Sequence, residues 1–107
     1  MNGPASHLTH YVIVRADLPT GTMVAQVIHA AGESSGDIPS GTYAVALVAK
    51  SEIQLLAIEK SLISKNIPHA AIRETDAPWS GQLMAIGIAP CDRSLVRKEV
   101  SQLPLIK

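Results

Sequence analysis

No phenylalanine occurs in this chain of 107 residues, which carries one tryptophan and two tyrosines. A core must therefore be assembled from Val, Ile, Leu, Ala and Met. The hydrophobic fraction of 47% is enough to do so without disulfides. A single cysteine, Cys91, excludes an internal disulfide and a multi-cysteine metal site, and it fits a reducing compartment. Nine basic residues match nine acidic ones. No global field then draws the chain to nucleic acid, and any basic surface has to be local. No apolar run approaches the length of a membrane span. The opening MNGPASHLTH lacks a basic segment followed by an apolar one, so it does not read as a secretory signal. His7, His10, His29 and His69 show no metal-ligand spacing, and the glycine-containing stretches GTYAVA and SSGDIPSG show no phosphate-loop pattern. No Gly-x-Ser-x-Gly elbow supplies a serine nucleophile. A soluble cytoplasmic protein of one domain, with no metal or cofactor, is the expectation.

What is present alternates between two periods. Residues 1–9 read as a loose, flexible arm, and residues 10–107 as the domain. YVIVR (11–15) and TYAVALVA (42–49) are short, β-branched, nearly continuous apolar runs, the pattern of buried strands. HAAIRE (69–74) and QLMAIGIA (82–89) supply two more strands, close enough to pair antiparallel. Between them lie helical stretches. Residues 22–34 place Met23, Val27, Ala30 and Ala31 on one face, with Val24 and Ile28 beside it. Ser51 followed by Gln54 predicts a capping box for a helix reaching about Asn66, with Ile53, Leu55, Leu56, Ile58, Leu62 and Ile63 toward the core. Residues 90–103 predict a last helix with an acidic start at Asp92. The order β-α-β-α-β-β-α predicts an α/β fold of three layers: a mixed four-stranded sheet flanked by helices on both faces. Ligands of such sheets lie beyond the carboxyl ends of strands, where Arg15, Asp17, Lys50, Arg73 and Glu74 fall.

One feature of the first helix is unusual. Thr22, Gln26, His29 and Glu33 recur at spacings of three and four, so they form a polar line on one side. A solvated face is the bland explanation. The line also begins just after a buried strand and a Pro–Gly break, among small residues that let a ligand approach.

The stretch VIVRADLPTGTMVAQVIHAA resembles the N-terminal signature of the peptidyl-tRNA hydrolase 2 family: Arg-x-Asp-Leu closing a strand, then Ala-Gln-x-x-His-Ala in a helix. ALVAKSEIQLLAIEKSLISKNIPHAAIRE and MAIGIAPCDRSLVRKEVSQLPL are similar to later parts of that family, so the resemblance spans roughly residues 10–106. It implies a mixed four-stranded sheet, a homodimer, no metal, and hydrolysis of the ester joining a peptide to the 3′ end of tRNA. Carried over by position, Gln26 and His29 are helix residues of the site, Glu74 stands where the family has Asp after Arg, and Arg15 and Lys50 flank the cleft. Two departures stand out. TGTMVAQ is shorter than the family's Gly-Lys-Gly-Lys stretch, with Thr22 where a catalytic lysine stands, and TDAPWSGQ lacks the family's Gly-Arg-Thr run. The chain thus looks like a divergent branch, similar to peptidyl-tRNA hydrolase domain-containing proteins, and weak activity is expected of it.

The residues suit that chemistry. His29 has the intrinsic pKa of a base near neutrality. Glu74 or Asp76 can orient it, Gln26 can position water or the carbonyl, and Thr22 offers a hydroxyl. Asp17 joins Arg15 and Lys50 as a substrate-binding candidate. Trp79, in a polar loop, is either a lid on the domain's own surface or a platform for the terminal adenine. Arg93 and Arg97, one turn apart, are either phosphate contacts or a solvated face. Cys91 after Pro90 is more readily an incidental cysteine than a nucleophile. Two other functions remain open: a non-catalytic module binding a tRNA end or a protein, and a hydrolase acting on another small ester.

Overall fold

In the computed structural model, which describes residues 7–107, the run THYVIVR forms β1 (Thr9–Arg15), buried at every position. Such a strand needs neighbours on both edges and cover on both faces, and β1 has them. The other elements are α1 (Thr20–Ser35), β2 (Tyr43–Ala49), α2 (Glu52–Ser64), β3 (His69–Arg73), β4 (Leu83–Cys91) and α3 (Arg93–Val100). The sheet order is β2-β1-β4-β3. β1 runs parallel to β2, and β4 is antiparallel to both β1 and β3. The expected α/β fold with a mixed four-stranded sheet is what forms. The arm expected over residues 1–9 lies largely outside the described residues, and Thr9 already begins β1.

Strand alternation sends side chains to two clusters. Ile13, Leu47, Ile86 and Ile88 meet Leu55, Leu62 and Val96 from α2 and α3. Val12, Val14, Ile72 and Met84 meet Ala30 of α1 on the other face. The sheet is thus covered by α1 on one side and by α2 and α3 on the other.

Several local expectations are revised. β2 is an edge strand and half exposed, not a buried one. Residues 104–106 shield part of it: Val48 N–H donates to Pro104 O at 2.9 Å and Ile106 N–H to Ala46 O at 3.2 Å. On α2 only Leu55, Ile58 and Leu62 are buried, whereas Ile53, Leu56 and Ile63 face outward, because six apolar positions span more of the helix than the sheet can cover. The capping box does not close. Ser51 makes no side-chain cap, and Gln54 Oε1 instead accepts the Lys50 N–H at 2.6 Å. α2 ends in a left-handed Asn66 (φ 55°), with Asn66 N–H on Ile63 O and Ile67 N–H on Leu62 O. That is a Schellman stop with asparagine in the glycine position.

The first helix is rotated from its expected phase. Its buried line is Gln26, Ala30 and Ser34, while Ile28 is 65% exposed and Val24 also faces outward. Gly87 of β4 sets this rotation. A Cβ there would overlap Ser34 Oγ and the Ala30 carbonyl, so the helix backbone rests directly on the sheet at its small residues. Below that contact, Ser34 Oγ donates to Ala30 O at 2.6 Å and pairs with His10 Nε2 at 2.7 Å. Since the Ser34 hydroxyl gives its hydrogen to Ala30 O, His10 Nε2–H donates to Ser34 Oγ, and burial lowers the pKa of the ring.

β4 continues to Cys91, and the last helix starts only at Arg93, capped by the Asp92 carboxylate on Ser94 N–H at 2.9 Å. Cys91 is therefore a strand residue opposite Thr9. Burial, with Asp92 behind it, pushes its thiol up, which argues against a nucleophile.

Candidate functional site

β1 and β2 end, β3 ends and β4 begins at the same edge of the sheet, and α1 starts there too. Gln26 of α1 is 6% exposed. Its Nε2 donates to Glu74 Oε2 at 3.2 Å. Glu74 follows β3 directly. Its other oxygen, Oε1, accepts the amides of Thr75 at 2.9 Å and Asp76 at 3.2 Å. These contacts hold the carboxyl below its ordinary range. The Asp76 amide contributes most, then Thr75; slight burial opposes them, and Gln26 and the charge of His29 add to the lowering. Glu74 is thus an ionised, oriented acid facing the helix.

The polar line of α1 divides on this geometry. Gln26 is buried against the acid, Thr22 is half-buried one turn earlier, and His29 and Glu33 are exposed. The ring of His29 makes no hydrogen bond among the described residues, and its charge is felt at Glu74. Gln26 Oε1 is buried and meets no donor among the described residues.

The loop from Glu74 to Gln82 is pinned at its base. Glu74 N–H donates to Gln82 O at 3.0 Å and Gly81 N–H to Glu74 O at 2.7 Å. Gly81 takes φ 77°, which favours glycine there. Trp79 folds back from this loop onto the α1-side cluster, with the Arg15 guanidinium 5.3 Å from its ring centroid. Arg15 itself is 4% exposed and fully engaged. It grips Asp17 with two bonds, Nε to Oδ1 at 3.0 Å and NH2 to Oδ2 at 2.9 Å, and NH1 donates to Gln82 Oε1 at 2.8 Å. The hydrogen bond to Asp17 is the chief reason its pKa is raised, and the same bond lowers that of Asp17.

The structure brings Gln26 to Glu74, with the Asp76 amide on the same carboxylate and the charge of His29 felt there. Thr22 stands one turn before Gln26 on α1, and Arg15, Asp17 and Trp79 form a second, interlocked group. Lys50 does not join either. It follows β2, three strand spacings from β3, roughly 14 Å at about 4.8 Å each. Arg73 turns to α2 and pairs with Glu59 at 2.7 Å. Arg93 lies at the opposite end of β4, donating to Thr9 Oγ1 at 3.1 Å and stacking on Tyr43 at 5.7 Å. Gln82 was missed from sequence; its only signal was a polar residue opening an apolar strand. Among the described residues no group of three His, Cys, Asp or Glu side chains converges as a metal site would need.

Two comparisons bear on this arrangement. The sequence model of one family, described as Peptidyl-tRNA hydrolase PTH2, matches residues 8–106. A protein of unknown function from Agrobacterium tumefaciens strain C58 has a similar fold, with a TM-score of 0.62 at 16% identity, covering 95% of this chain and 99% of that one. Among curated proteins nothing matches.

Proposed function

Because the chain belongs to the peptidyl-tRNA hydrolase PTH2 family, we propose that it cleaves the ester between a peptide and the 3′ end of tRNA at the α1–Glu74 cleft. The Gln26–Glu74 hydrogen bond carries this reading, since it joins the helix residue to the acid after β3 across 48 positions of sequence. Water adds to the ester carbonyl and gives its proton to His29. Glu74, held ionised, stabilises the imidazolium. Collapse of the tetrahedral intermediate expels the ribose oxygen, which takes that proton back. Gln26 positions Glu74, and Thr22 offers its hydroxyl to the developing oxyanion. Trp79 presents a ring to the terminal adenine, Asp76 and the Arg15–Asp17 pair border that surface, and Lys50 meets a phosphate farther along the acceptor end.

The sequence holds no lysine or arginine between Arg15 and Lys50, and Arg15 is committed to Asp17. Positive charge near the scissile bond then comes from the start of α1. That helix has Pro19 at its N-cap and no side-chain cap, so first-turn amides are left for solvent or substrate, carrying about half a unit charge. Losing one full oxyanion partner costs about 100- to 1,000-fold, and the proposed activity is correspondingly weak. The same lack of a free cation favours a second reading, a binding module without turnover.

Peptide release from purified peptidyl-tRNA separates the readings. Hydrolysis that falls about 100-fold or more in both His29→Ala and Glu74→Ala supports the enzyme. Binding without turnover, in wild type as in the variants, supports the module. Turnover of aryl esters alone points to another ester substrate.

A further inference from the structure

On the face of the sheet away from Glu74, a carboxylate is buried where no apolar packing needs it. Glu99 of α3 has a side chain 1% exposed, and its Oε2 pairs with Lys65 at 2.7 Å and accepts the Ser61 hydroxyl. Burial pushes this carboxyl up, but Lys65 and Ser61 outweigh burial and hold it below its ordinary range. Oε1 is different. It is buried, charged and without a donor among the described residues. Leaving such an atom unsatisfied carries the full cost of stripping its water.

That residue borders a cleft of about 260 Å³ between α2 and α3. Its other walls are of two kinds. Ala57, Ile58 and Leu103 are apolar, while Lys98 and Gln102 are polar. Lys98 makes no ion pair among the described residues. Cavities for drug-sized molecules run about 300–1,000 Å³, so this one suits something smaller. A bare cation is poorly matched, because Lys65 and Lys98 already outnumber Glu99. A bare anion would face Glu99. A molecule carrying both charges meets each wall with its complement.

We propose that this cleft binds a free α-amino acid with an apolar side chain, its ammonium on Glu99 Oε1, its carboxylate on Lys98, and its side chain against Ala57, Ile58 and Leu103. The site is separate from the hydrolytic cleft and does not depend on the reading given for it.

The test is an amide-shift NMR titration of the whole chain with L-leucine and two amputated analogues, 3-methylbutylamine and 4-methylpentanoate. Leucine should give saturable shifts centred on Ala57, Ser61, Lys98, Glu99 and Leu103. Each analogue should bind about 10-fold more weakly or worse, the loss expected when one charge-assisted contact is removed. Lys98→Met should reduce leucine to the level of the amine. Ala57→Trp, which puts an indole into the cleft while leaving Glu99 and Lys98 in the sequence, should abolish the shifts. The proposal fails if leucine produces no saturable shift there, if the amine binds as well as leucine, or if binding survives Ala57→Trp.

Discussion

Two glycines show how one hydrogen atom can matter or not. Gly87 faces the Ser34 hydroxyl and the Ala30 carbonyl so closely that a methyl group has no room, whereas Gly32, in α1, has nothing within 4 Å of where its Cβ would be. Gly87→Ala should therefore destabilise by about 1–3 kcal/mol through overpacking. Gly32→Ala should stabilise by about 0.5–1 kcal/mol, because alanine loses less backbone freedom in a helix. Urea denaturation midpoints at constant m-value check both. His10 gives a second prediction at this scale. Its folded pKa lies below the ordinary 6.5, so the unfolded chain binds the proton more readily. The associated stability is complete above pH 6.5 and is lost as pH falls through that value toward the folded pKa. The lowered carboxyls of Asp17, Glu59, Glu74, Asp92 and Glu99 act in a lower window, below 4.5. Denaturation midpoints from pH 7.5 to 5 should fall less steeply in His10→Gln, whose amide keeps a donor for Ser34 without titrating.

Elements were largely legible before their surfaces were. Apolar runs and breakers located all four strands and all three helices, because those signals are local. Which side of each helix is buried was not local information. The phase of α1 depends on Gly87, 53 positions after Ser34 in sequence, and no pattern within residues 20–35 announces it. The two helix starts make the same point. Ser51 and Gln54 have capping-box spacing, yet Gln54 takes Lys50 N–H and Ser51 caps nothing. Asp92 does cap α3. Ser51→Ala should thus change stability by less than about 0.5 kcal/mol, while Asp92→Ala should cost about 1 kcal/mol. Thermal unfolding of the two variants side by side distinguishes a cap from a sequence that only resembles one.

At the scale of the whole molecule, strand order decides what the sequence could not. Arg15 ends a strand and Lys50 and Glu74 each follow one directly, and all looked equally close to a cleft. The order β2-β1-β4-β3 sends Lys50 and Glu74 to opposite edges, while Gln26 and Glu74 meet because α1 crosses toward β3. The same order leaves β2 on an edge, where residues 104–106 lie along it through Val48 and Ala46. Removing residues 104–107 should bare the backbone groups of Ala46 and Val48. Concentration-dependent association by light scattering, beyond whatever the full chain shows under the same conditions, is the expected outcome.

Trp79 is the chain's one indole, and it belongs to the loop that bears the acid, clamped beneath a guanidinium. Red-edge emission from this protein thus originates at a single spot. Whatever enters there and pries the ring from Arg15 will announce itself as a spectral change, with no dye attached, while events on the far side of the sheet stay optically silent.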